Sequence, residues 1–292
     1  MSAQNLLFDL PGPRARARHR VLAVVGVLLI AALVAGAVYL LRNELRWAMW
    51  RPFIDPVTWT AYLLPGLQAT LTAAAISVVT SLVVGLLLGV GRLAAQPVVR
   101  AASGVLVEFF RAVPVLMMMV FAYYAFIYSG VLRGQAASLA GVVVGLTLYN
   151  GAVIAELVRS GVHALPKGQT EAGLAVGLTP GQTLRSILLP QAIRAMLPAL
   201  VSQLIVVLKD TALGYLIVYA ELLQRSQNLA ANYGNIIVAF FVAGVIFVLI
   251  NWALATLAHR LEAWLSTRQA GHVLHVAEGG AVLTGDETPA VR

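Results

Sequence analysis

No cysteine occurs in the 292-residue sequence, which excludes disulfides, thiolate catalysis and cysteine-ligated metals and leaves no mark of a redox compartment. Charge is scarce as well. Only 11% of the residues are Asp, Glu, Lys or Arg, against about 25% in soluble globular proteins, too few to coat one large soluble domain or two. In their place stand 60% hydrophobic residues, so the solvent around most of this chain is lipid. Lysine is nearly absent. Lys167 and Lys209 are the two lysines among 20 basic residues, and Pro166 and Leu208 precede them, whereas a phosphate-binding Walker loop needs a lysine after glycine. The chain therefore cannot be its own P-loop ATPase, and any pumping must borrow ATP energy from a partner or draw on an ion gradient. The five histidines are scattered without metal-ligand spacing. Ser129, Ser138 and Ser160 lack the context of a catalytic triad.

What is present is a set of six apolar segments, over about 21–41, 67–90, 113–129, 138–155, 197–218 and 236–258. Each is long enough to cross about 30 Å of hydrocarbon, or comes close to the roughly 20 residues this takes. They make the chain an all-α, polytopic membrane protein. Pro114 opens the third near its first turn, where the missing N–H costs little. The net charge of +8 by itself suggests nucleic acid, anionic lipid or acidic substrates, but its placement gives it another meaning. Arg14, Arg16, Arg18, Arg20, Arg92, Arg100, Arg111, Arg159, Lys167, Arg185, Arg194, Arg260, Arg268 and Arg292 fall on one side of the six spans, against Arg42, Arg46, Arg51, Arg133 and Arg225 on the other. Basic residues concentrate on the cytoplasmic side, so both termini are expected in the cytoplasm, with lipid and not nucleic acid around the chain. Residues 1–20 read as a basic cytoplasmic tail and 21–41 as an extra N-terminal span. A cleaved signal peptide is the competing reading of that span, because Ala35-Gly36-Ala37 fits a small-residue cleavage pattern, although its apolar run exceeds the roughly 7–15 residues of a signal core. Residues 265–292, with Gly279-Gly280 and a polar run over 284–289, read as a disordered cytoplasmic tail.

The segment 159–196 is long for a connection between helices, where about two to eight residues is usual and longer ones tend to be functional. Pro166 ends the helix that continues the fourth span, 169–176 forms a short helix with Glu171 near its positive end, and Gly177 supplies the left-handed residue that stops it. Thr179-Pro180-Gly181-Gln182 then offers an N-cap, a proline in the first helical position and a glutamine three residues after the cap. The second helix ends near Pro190, and Leu184, Ile187 and Leu188 give it one apolar face suited to a helix-in-groove contact.

These residues carry a resemblance. Glu171-Ala172-Gly173, three residues, Gly177, nine residues, Ile187, one residue, and Leu189-Pro190 resemble the EAA signature of ABC-importer permeases, with Gly173 at its second alanine. Glu156, Arg159, Gly161, Pro166, Gly168 and Gln169 resemble the segment leading into that signature in the polar amino acid permeases, the family of histidine, glutamine and glutamate importers. Lys209-Asp210-Thr211 with Leu213 resembles the family's next block, and Glu108, Arg111 and Pro114 an earlier one. The resemblance covers about 65–264 and leaves out the first span and the tail. It implies a type I importer transmembrane domain and a permease subunit that moves a polar amino acid, glutamate-type as in actinobacterial systems, across the plasma membrane of a bacterium. It implies no ATPase site or cofactor in this chain; ATP and Mg belong to two cytoplasmic ATPase subunits. A second permease subunit, identical or related, and an extracytoplasmic amino-acid-binding protein complete the implied assembly. Coupling to the ATPase falls to the 166–190 loop, on Gly168, Gln169, Glu171, Ala172, Gly173, Gly177, Ile187, Leu189 and Pro190. The rival readings are an ABC permease for another small solute and a gradient-driven secondary transporter. The latter should carry intramembrane carboxylates and often an internal repeat, and one carboxylate lies deep in a span.

That carboxylate is Asp210, beside Lys209 and well inside the fifth span. Each charge at the bilayer centre costs about 2.5–3.5 kcal/mol, so both are expected to face a bundle interior or an aqueous cavity, with partners on other spans or on a substrate. An α-amino acid bears an ammonium and a carboxylate, which places Lys209, Asp210 and Thr211 on a candidate substrate pathway; a buried ion pair that only fixes packing is the alternative. Glu108 with Arg111, and Glu156 with Arg159, are spaced to pair on one helical face and read as ion pairs at the cytoplasmic boundary. At Met117-Met118-Met119 the family usually has a glutamine, and three methionines read as adaptable packing.

Overall fold

In lipid every backbone amide must find its partner within the protein, and in this computed structural model, which describes residues 12–281, helices alone meet that demand. The principal helices are α1 (Pro13–Leu40), α2 (Leu64–Arg92), α3 (Pro97–Ala112), α4 (Val115–Ser129), α5 (Gly134–His163), α6 (Lys167–Ala175), α7 (Leu197–Asp210), α8 (Leu222–Tyr233) and α9 (Ile236–Ala281). Among the described residues five stretches are long and apolar enough to cross a membrane: Ala17–Leu40, Pro56–Arg92, Gly134–His163, Leu197–Ile217 and Ile236–Leu257.

The third of the six expected spans differs. The 15 residues of α4 reach only about 22 Å at 1.5 Å each, short of the hydrocarbon thickness. By length and composition it counts toward a span only together with α3, and the two meet at a bend of 100°, the shape of a broken span or a re-entrant loop. The cause is local: Val113 precedes a proline, which disfavours the helical region, and it is extended at φ −83°, ψ 128°.

Both ends also depart from expectation. Residues 13–20, read as tail, form the first turns of α1, with Pro13 in the first-turn position that proline tolerates; residues 1–11 lie outside the described residues. At the other end α9 runs on through 265–281, read as disordered. No proline interrupts 236–281, and the residues past the apolar stretch include many good helix formers. The remainder of that expected tail, 282–292, lies outside the described residues.

The central pair of the bundle is α2 and α5. Lipid tails are as apolar as leucine, so helices associate in a membrane through close packing, which small residues permit. On α2 Gly66, Thr70, Ala74, Ser77, Ser81, Gly85 and Gly89 are buried. A Cβ on Gly85 would stand 2.6 Å from that of Ile154, so the two backbones approach as closely as glycine allows. Met119 of α4, wholly buried, fills the space at Gly145 in the same manner; Met118 is buried and Met117 turns outward.

Two prolines inside helical runs are absorbed by one device. Pro65 and Pro190 each follow a π-turn, Trp59–Leu63 and Leu184–Leu188, in which the next N–H reaches back five residues, from Leu64 to Trp59 O and from Leu189 to Leu184 O. The wider turn relieves the clash between a proline ring and the carbonyl four residues back. The second helix of the loop therefore does not end near Pro190. It proceeds as Pro180–Thr183, Leu184–Leu188 and Leu189–Ala195.

Past the fifth span, Glu221 caps α8 by accepting from the N–H of Leu223 at 2.8 Å and of Gln224 at 2.7 Å. It is wholly buried. Burial pushes its carboxyl up to about 7 from an ordinary 4.5, against the two amide bonds that favour the charged form. The folded protein thus keeps a proton that the unfolded chain sheds, so stability held in full below about pH 4.5 is lost as pH rises through about 7. The melting temperature of the purified protein is expected to fall between about pH 5 and pH 7.5, and Glu221→Gln to flatten that fall; an unchanged pH profile in the variant would show that another group governs it.

Candidate functional site

The loop that follows α5 is built from two local devices. α6 ends in a Schellman turn: Gly177 adopts φ +86°, its N–H donates to Leu174 O at 3.0 Å, and the N–H of Leu178 donates to Gly173 O at 3.1 Å, which satisfies two end carbonyls. Two residues later the capping box forms, with Gln182 N–H donating to Thr179 Oγ1 at 3.3 Å and Thr179 N–H to Gln182 Oε1 at 2.8 Å. The two arms are also tied by Gln191 Nε2, which donates to Gln169 Oε1 at 2.9 Å. Gly173 lies buried under the second arm, where a Cβ would stand 2.6 Å from Thr183 Cγ2 and 3.1 Å from Ile187 Cδ1. The departure from alanine is thus a matter of close approach.

The apolar face of the second arm points inward. Leu184 and Leu188 are buried with Ala192 and Met196 against Ile154, Val158 and Val162 of α5, and Ile187 and Leu189 pack at the rim of that cluster. The groove contact expected of this face is made within the chain, where packing carries no cost of association. What the loop turns outward is its first arm. Gly168, Gln169, Glu171 and Ala172 are exposed, with Leu174 and Val176 as exposed apolar side chains.

Above the loop the two expected ion pairs form, and a third arginine joins them. Arg159 Nη2 lies 2.6 Å from Glu156 Oε1, and Arg111 Nη1 lies 3.7 Å from Glu108 Oε2. Arg92, the last residue of α2, reaches Glu156 Oε2 at 2.7 Å and Glu108 Oε1 at 3.1 Å. The result is one network across α2, α3 and α5, not two separate pairs. Glu156 is its hub, with a side chain 20% exposed, both guanidinium groups on its oxygens and the Ser160 hydroxyl donating at 3.3 Å.

Lys209 and Asp210 are the last two residues of α7, and Thr211 opens the 3-10 helix Thr211–Ile217. The fifth span changes its helix type where the charges stand. Lys209 is exposed and Asp210 half-buried, and neither forms an ion pair with another described residue; the counter-charge expected from another span is not supplied there. The Thr211 hydroxyl is buried and donates to Leu208 O at 2.6 Å, a local back-bond that leaves it no part in a polar surface. Among the described residues no three His, Asp or Glu side chains are grouped to hold a metal ion.

Comparison with known proteins gives this arrangement a context. The family model described as the binding-protein-dependent transport system inner membrane component matches residues 81–267, a stretch that holds the loop, the network and the end of α7. The chain is 47% identical over 221 residues to the glutamate transport system permease protein GluD of Corynebacterium glutamicum, covering 76% of this chain and 81% of that one. It is 36% identical over 205 residues to the probable glutamine ABC transporter permease protein GlnP of Bacillus subtilis, covering 69% and 93%. In fold it resembles a chain from the crystal structure of an amino acid ABC transporter with histidines, with a TM-score of 0.65 at 24% identity over 72% of this chain and 97% of that one. It also resembles a chain of the inward-facing MetNI methionine ABC transporter, with a TM-score of 0.59 at 24% identity over the same shares. The chain belongs to the family of binding-protein-dependent transport system inner membrane components, as a multi-pass permease subunit of an ABC importer with a type I transmembrane domain.

Proposed function

We propose that this permease carries an acidic amino acid, glutamate, into the cell, driven by a separate ATPase that engages residues 166–190. The observation that carries the reading is the 47% identity to a glutamate permease over 81% of its length. The exposed first arm, Gly168, Gln169, Glu171 and Ala172 with Leu174 and Val176, is the part that seats on the ATPase, while Gly173 and Gly177 fix the angle between the arms. Ile187, Leu189 and Pro190 lie on the arm that packs against α5, so a displacement of the loop reaches the span through that apolar cluster. ATP and Mg stay on two ATPase subunits. A second permease subunit, identical or related, and an extracytoplasmic amino-acid-binding protein complete the assembly, with the loop and both termini in the cytoplasm. ATP binding draws the paired loops together and turns the cavity outward; hydrolysis resets it. Lys209 and Asp210, without an ion-pair partner among the described residues, meet the carboxylate and the ammonium of the passing substrate.

The test is uptake of labelled glutamate, glutamine, histidine and arginine by cells lacking the chain. Glutamate uptake is expected to fall to background, and unchanged glutamate uptake would overturn the reading. Asp210→Asn and Lys209→Met are each expected to cut uptake about tenfold, the loss of one charge-assisted contact, at normal membrane levels; uptake equal to the parent's removes both residues from the pathway.

A further inference from the structure

Next to the charged network α5 presents Tyr149, Val153, Glu156, Leu157 and Ser160 along one face, at helical spacing. With Arg111 from the end of α3 they line a groove of about 310 Å³, at the lower end of the roughly 300–1,000 Å³ of small-molecule sites. Its lining is mixed: Val153 and Leu157 are apolar, Arg111 and Tyr149 bring polar hydrogens, and Glu156 holds the hydroxyl hydrogen of Ser160 as well as its arginines. Arg111 has donors to spare. A guanidinium carries five N–H groups, and its ion pair to Glu108, at 3.7 Å, is too long for a hydrogen bond and shares that carboxylate with Arg92.

Among the described residues the charges in the network do not balance. Three guanidinium groups, of Arg92, Arg111 and Arg159, meet two carboxylates, of Glu108 and Glu156. Arg92 and Arg159 share Glu156 at 2.7 and 2.6 Å, and Arg92 also takes Glu108 at 3.1 Å, so Arg111, whose one pair is the longest at 3.7 Å, is the least engaged of the three and stands at the groove. An acidic amino acid at neutral pH carries two carboxylates and one ammonium and would bring the network to neutrality. A neutral amino acid leaves the excess in place, and a basic one adds to it.

We propose that this groove is a carboxylate-binding subsite for the transported amino acid, with Arg111 and Tyr149 as its donors, and that the unmatched positive charge selects an acidic ligand. The proposal rests on the amino-acid permease reading above and adds to it a location and a basis of selection. Gln203 of α7 donates to Asn150, next to Tyr149 of the groove, at 2.6 Å, and Lys209 follows six residues farther along α7, about 9 Å at about 1.5 Å per residue, which makes the groove and the two charges successive stations in this proposal.

The experiment measures binding of labelled glutamate, glutamine and arginine to the permease assembled with its ATPase in phosphatidylcholine nanodiscs. The binding protein is omitted, so that the affinity measured is the permease's own. Glutamate is expected to bind more tightly than glutamine or arginine. Arg111→Gln should weaken glutamate binding about tenfold or more and glutamine binding much less, Arg111→Lys should fall between, and Tyr149→Phe should cost a few-fold. Equal glutamate affinity in the parent and in Arg111→Gln and Tyr149→Phe overturns the subsite, as does a parent assembly that binds no glutamate although cells carrying it import glutamate. Stabilisation by added phosphatidylglycerol that Arg111→Gln abolishes, with glutamate affinity unaltered, overturns it in favour of a lipid headgroup. Absence of glutamate uptake by cells carrying the parent chain strikes the amino-acid reading itself.

Discussion

Replacing Gly177 with valine is expected to uncouple the transporter: hydrolysis by the ATPase continues while uptake falls below about a tenth. Gly177 stands at φ +86°, where a β-branched residue is a conformational outlier, and a left-handed residue costs about 1–2 kcal/mol even without branching. The space around it is open, with no atom within 4 Å of an added Cβ, so the penalty is one of backbone and not of collision. Valine would give up the two amide bonds of the Schellman turn and let the first arm swing relative to the second. Asparagine, which tolerates the left-handed region, should keep coupling. ATPase and uptake rates in proteoliposomes check both variants. Valine that transports as well as asparagine would mean that the angle between the arms is immaterial.

A comparable loss, of stability, is expected from Glu156→Ala. Removing one partner of a buried ion pair costs about 3–5 kcal/mol, because the other charge is left stranded. Glu156 holds two guanidinium groups, of which Arg92 is 14% exposed and Arg159 35%. Partial solvation of Arg159 and of Glu156 puts the loss near the lower figure, about 3 kcal/mol, or about 6–12 °C in melting temperature at about 2–4 °C per kcal/mol. Glu108→Ala provides the contrast, since that carboxylate is 60% exposed and exposed pairs contribute about 0–1 kcal/mol. Thermal melting of the purified variants decides. Equal losses at the two positions would mean that the network has no hub.

The parts legible in the sequence are those whose causes are local. Gly177, and Thr179 with Gln182, satisfy helix ends within a few residues of themselves, so type and spacing suffice to read them. Arg92 is not legible as a network member because Glu156 lies 64 residues away, and nothing on its own helix indicates the partner. The inward turn of Leu184 and Leu188 is not legible for a different reason: periodicity identifies an apolar face but not what covers it, and α5 lies closer to hand than any separate protein. The fifth span looked continuous because hydropathy does not distinguish an α-helix from the tighter 3-10 turn that begins at Thr211. Glu221 reads as an ordinary polar residue in a connection, because no local pattern shows that its carboxylate is enclosed and serves two backbone amides.

The turn at Leu184–Leu188 also sets which way the rest of the loop faces. Leu184, Leu188, Ala192 and Met196 are all buried in one cluster, at strict intervals of four. In an α-helix four residues overshoot a full revolution by about 40°, so twelve would carry the last side chain about 120° away from the first. The widened turn holds one more residue per revolution and takes back part of that drift. It acts as a phase corrector, letting a single stripe stay on α5 from one end of the arm to the other. Winding the same residues as an ordinary helix, with none removed, would rotate Ala192 and Met196 by about 100°, off the face of α5 that the arm now covers.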